Sequence, residues 1–140
     1  MRLPFSLAAS LALLALSGAT LAADLQPGQY LSTVTSDIPG DKPQKPESHC
    51  VTQKDIDSGL SEMGIAKDSS CKVKDFKKTS SSVSYRVDCG DAMGGVGQQK
   101  VDGTFSSDSF DLRMQIQIEP GKKPNTIRIA GKRTGACKKE

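Results

Sequence analysis

Three features of the chain predict a mainly β fold: a six-stranded antiparallel meander curled into a half-barrel or open barrel, with one short helix between strands 1 and 2 and two disulfides. The first is the stretch Phe110 to Ile118, where Phe110, Leu112, Met114, Ile116 and Ile118 alternate with Asp111, Arg113, Gln115 and Gln117. A period of two sends the apolar set to one face and the polar set to the other, the pattern of an antiparallel strand with one face buried. The second is a succession of short alternating segments divided by Gly, Pro, Ser and Asn, which suits a meander. The third is the presence of four cysteines in a chain without Trp, so that covalent bridges offset a thin core.

Met1 to Ala22 reads as a secretory signal, with Arg2 as the positive start, an apolar run from Leu7 to Leu16, and small residues that place cleavage after Ala22 or Ala23. The run falls short of the about 20 residues that a membrane-spanning helix needs. Residues 23–140 then form a single disulfide-braced β domain, expected in the periplasm or secreted. Losing Arg2 takes the formal charge from +3 to +2, too small a balance to imply nucleic acid.

In chain order, Pro27-Gly28 precedes Tyr30, Ser32 and Val34, which alternate with Leu31, Thr33 and Thr35 in a first strand. Pro39-Gly40, Pro43 and Pro46 predict a surface loop over Ile38 to Ser48. Thr52, with Asp55 three residues on, has the form of a helix cap, and Ile56, Leu60 and Met63 are spaced to share one helical face that Gly64 ends. Cys71 to Cys89 forms a hairpin turning over Lys78 to Ser82. A turn centred near Ser80 places Cys71 opposite Cys89, with a bulge near Asp75 to bring Phe76 into phase. Gly90 to Gly97 is a glycine-rich loop, followed by a strand with Val101, Gly103 and Phe105 on one face. After the organising strand, Pro120-Gly121 breaks the chain, and Ile127 and Ile129 lie in a last strand before Gly131 to Cys137. The apolar face of Phe110 to Ile118 is expected to pack with Val87, Val101, Phe105, Ile127 and Ile129.

The cysteines are even in number, contain no Cys-x-x-Cys pair, and belong to an exported chain, so they predict structural disulfides and not a zinc or redox site. The hairpin register joins Cys71 to Cys89, and elimination joins Cys50 to Cys137.

Pro27-Gly28 followed by Tyr30, cysteines at 50, 71 and 89, glycines after the third cysteine, and the ending Lys132-Arg133-Thr134-Gly135-Ala136-Cys137 occur together. In these the chain resembles the small exported bacterial proteins catalogued as domain of unknown function 3617, although that family usually has Trp where this chain has Tyr30. The resemblance spans nearly all of the mature chain and implies an exported, disulfide-braced fold. It carries over no catalytic residue.

No catalytic, cofactor or metal site is expected. His49 is the single histidine, and beside a cysteine at a loop exit it reads as an exposed side chain, which leaves Ser-His-Asp and Cys-His chemistry resting on one position. Asp88 and Asp91 are the nearest carboxylate pair for a hydrolase, explained as well by loop solvation. Met63, Met93 and Met114 are too few and too core-like for copper handling. The expected function is therefore a non-catalytic, monomeric envelope binding module for a small apolar ligand or a partner protein. The alternatives are an inhibitor of a periplasmic hydrolase and, further off, a carboxylate-dependent hydrolase. The loops over Pro39 to Ser48 and Gly90 to Gly97 are the candidate contact segments.

Overall fold

The computed structural model describes residues 24–63, 70–90 and 98–138. The expected signal segment, Gly64, and residues 91–97 of the glycine-rich loop lie outside them, together with Asp91 and Met93. Among the described residues the chain forms β1 (Gly28–Ser36), β2 (Glu47–Val51), α1 (Gln53–Asp57), β3 (Lys72–Lys78), β4 (Ser82–Asp88), β5 (Gln98–Phe105), β6 (Ser109–Ile116) and β7 (Asn125–Gly135). The strands make one antiparallel sheet in the order β2-β1-β7-β6-β5-β4-β3, with β2 and β3 at unclosed edges. No helix among the described residues is long and apolar enough to cross a membrane.

The fold is mainly β with one short helix and two disulfides, as the sequence predicts, but it has seven strands where six were expected. The additional strand is β2, which pairs with β1 from Gly28↔Val51 to Ser32↔Glu47. The expected loop therefore ends at Pro46, and the helix follows the second strand. Only β3 to β7 run as a consecutive meander. The β1–β2 hairpin attaches beyond β7, pairing from Gln29↔Gly135 to Ser36↔Ile127, so the two ends of the domain lie side by side.

β6 is the centre of the buried face. Phe110, Leu112, Met114 and Ile116 are buried while Arg113 and Gln115 are exposed. Val101 faces Met114 and Phe105 faces Phe110 across one edge of β6. Ile127 faces Met114 and Ile129 faces Leu112 across the other, both half-buried. Ile118 departs from the expectation, being 42% exposed. The strand stops at Ile116, and the Gln117 amide donates to the Lys122 carbonyl at 2.8 Å, drawing the chain off into the turn that Pro120-Gly121 imposes. Two glycines allow the face to close tightly. A methyl group on Gly131 would strike the Phe110 ring, and one on Gly103 would strike Leu112 and Val83.

The helix cap forms as the sequence suggests. The Thr52 N–H donates to the Asp55 carboxylate at 2.7 Å, and the Asp55 N–H donates back to the Thr52 hydroxyl at 3.3 Å. The helix ends sooner than expected, with Ser58 as its cap, and Gly59 and Leu60 both adopt left-handed backbone at φ 65° and 63°. Leu60 thus reaches the core through a turn and not through helical spacing, and it is fully buried. The Tyr85 hydroxyl donates to the Gly59 carbonyl at 3.3 Å and ties this turn to the sheet.

β3 and β4 follow the expected register, Lys72↔Asp88, Val73↔Val87 and Lys74↔Arg86, which shifts by one residue before Lys77↔Ser84. The bulge centres on Asp75, which has φ 52°. Disulfides join Cys71 to Cys89 and Cys50 to Cys137. The opposite face of the sheet is polar, crossed by ion pairs such as Arg128 with Asp111 and Lys132 with Asp108.

Candidate functional site

A cleft of about 400 Å3 opens on the core face between the β1–β2 hairpin, the β6–β7 pair and the turn that follows α1. Its geometry follows from strand alternation. In β1, Tyr30, Ser32 and Val34 point to one face, and pairing with β2 brings Glu47 and His49 to that same face. Deeper in, Phe110, Leu112 and Ile129 form the apolar floor, and Leu60 and Met63 form the wall contributed by the turn. The volume lies within the range of small-molecule sites, and an apolar lining with a few polar groups is their usual make-up.

The polar centre is a pair that the sequence reading did not assemble. Ser32, only 5% exposed, lies with its hydroxyl 3.3 Å from His49 Nε2. The imidazole is half-buried, not exposed as expected from its position at a loop exit. Burial holds its pKa below the ordinary histidine value, and the negative charges of Glu47 and Asp55 oppose that shift. Among the described residues no carboxylate is hydrogen-bonded to the imidazole. Asp55 is committed elsewhere, its Oδ2 accepting from the Thr52 N–H and, at 2.6 Å, from the Thr52 hydroxyl.

Other candidates from the sequence are scattered. Asp88 lies on β4, three strands from β7, where it accepts from Lys74 at 2.6 Å and from the Gly90 N–H at 3.1 Å. These bonds hold its carboxyl below the usual range, the opposite of what a general acid needs. Its proposed companion Asp91 is outside the described residues. Met63 lines the cleft, whereas Met114 is buried in the core. Of the expected contact loops, the one before β2 supplies Gln44 and Lys45 to the rim. Among the described residues no group of three or more His, Cys, Asp or Glu side chains is placed to hold a metal.

The signal missed in the sequence is the alternation Glu47, His49, Val51. It covers too few residues, with too little apolar character, to stand out beside the prolines before it. Ser32 lay in the correct phase of β1, but its partner became visible only with β2.

The family model described as "Protein of unknown function (DUF3617)" matches residues 25–137. No curated protein and no solved structure matches the chain.

Proposed function

We propose that this chain, which belongs to the DUF3617 family, is a non-catalytic envelope protein that binds a small apolar ligand in the cleft between its β1–β2 hairpin and the turn after α1. The observation that carries this reading is the cleft itself, with Val34, Leu60, Leu112 and Ile129 around one internal polar pair. Such a lining supplies the apolar contact that drives binding and one point of orientation. The two disulfides support export to an oxidising compartment. Both sheet edges are guarded, β2 by its shortness and polarity and β3 by Lys72, Lys74, Lys77, Lys78 and a bulge, which supports a monomer.

Binding without turnover is favoured over hydrolysis by the state of the Ser32–His49 pair. A serine nucleophile needs a base that is itself oriented by a third group, and here the nearest acids serve the helix cap or face the rim. Titration with the neutral apolar fluorophore N-phenyl-1-naphthylamine tests the reading. Saturable binding that is lost in a folded Met63→Glu variant is the expected result. Fluorophore binding that is absent, or indifferent to that substitution, counts against the cleft.

A further inference from the structure

The rim of the cleft is charged asymmetrically. Among the described residues, Glu47, Asp55 and Glu62 lie on it against one lysine, Lys45. Glu62 is paired with Lys54 at 2.9 Å, and one oxygen of Asp55 is taken by Thr52. Glu47 has no ion-pair partner among the described residues, and it stands directly across from Ser32 in the strand register. Its charge and that of Asp55 both act on the imidazole of His49. The cleft therefore joins an apolar floor to a local negative potential at one end. The whole chain, by contrast, carries a formal charge of +3.

We infer that the cleft selects amphiphiles with a positively charged head, laying the alkyl chain on Leu60, Leu112 and Ile129 and the head group against Glu47. This rests on the binding reading above and deepens it to a class of ligand. An ammonium head beside Glu47 gains Coulomb attraction, which at an exposed carboxylate is worth about a two- to fivefold change in affinity. A sulfate head in the same place meets like charge. Non-specific attraction to a positively charged protein would favour the sulfate, so a cation preference would have to come from the site.

The test compares decyltrimethylammonium, decyl maltoside and decyl sulfate, each below its micelle concentration, by calorimetry on the disulfide-bonded protein and on Glu47→Gln. Glu47 is exposed, so this substitution leaves the core untouched. With attraction of the one head and repulsion of the other adding, the cation should bind about fivefold more tightly than the sulfate. Glu47→Gln should remove most of that margin. Equal affinities, a preference for sulfate, or a margin that survives Glu47→Gln overturns the charge selectivity while maltoside binding keeps the cleft. If none of the three binds, the binding reading itself falls.

Discussion

At the scale of single residues, His49 and Leu112 show what burial does to charge and to packing. For His49 the folded pKa is lowered, so the unfolded chain takes up its proton first as pH falls. Its contribution to stability is present above the ordinary value of about 6.5, is lost as pH drops toward the lower folded value, and is level below that. Urea unfolding should therefore show the wild type losing stability relative to His49→Gln across that window; parallel pH profiles would contradict it. Asp88, Asp108 and Asp111, whose carboxyls are held below the usual range by Lys74, Lys132 and Arg128, act in a separate window. Their contribution is present above about 3.8 and is lost as pH falls through their folded values. In the core, Leu112→Ala should cost about 2 to 5 kcal/mol, whereas Gln115→Ala on the wet face should stay within about 0.5 kcal/mol of neutral. Equal effects would mean that both faces of the sheet are covered. The inward set of β6 was legible because its alternation runs unbroken. The burial of His49 was not, because it depends on a neighbour seventeen residues away in sequence.

At the scale of elements, local chemistry was legible and distant pairing was not. The Thr52 cap needs only a hydroxyl and a carboxylate three residues apart, and it forms as expected. Thr52→Ala should cost about 1 kcal/mol in thermal or urea unfolding, and a neutral outcome would mean that packing of Ile56 and Leu60 alone holds the segment. The β3–β4 hairpin was likewise readable, including its bulge, because its turn is short and its two strands carry matching apolar positions. Leu60 defeated the helical reading because left-handed backbone at a leucine is rare and leaves no mark in a spacing pattern. β2 was missed for a different reason. It is an edge strand held mainly by backbone pairing to β1, so its side chains need not declare a strand. The candidate site depends on β2 and on the turn at Leu60, which explains why its parts were visible singly and the cleft was not.

At the scale of the whole molecule, the disulfides act on chain segments of very different length. Cys50–Cys137 spans 87 residues and fastens β2 to the end of β7, while Cys71–Cys89 spans 18 and closes a hairpin. In the chain-entropy description the first contributes about 4.6 kcal/mol and the second about 3 kcal/mol. Unfolding of the two paired Cys→Ala variants should show the larger loss for Cys50 and Cys137; the reverse order would mean that native packing of the hairpin outweighs loop closure. The Cys50–Cys137 bridge also braces the hairpin that carries Ser32, Glu47 and His49, so the cleft is built on a fixed frame. Binding and turnover at that frame are separated most directly in one sample, by following the Met63 and Met114 methyl signals while adding monodecanoyl glycerol, a neutral amphiphile with a cleavable ester. The Met63 signal should shift to saturation, Met114 in the core should move far less, and the ester should remain intact. An unmoved Met63 signal, or ester cleavage that disappears in Ser32→Ala, would contradict it.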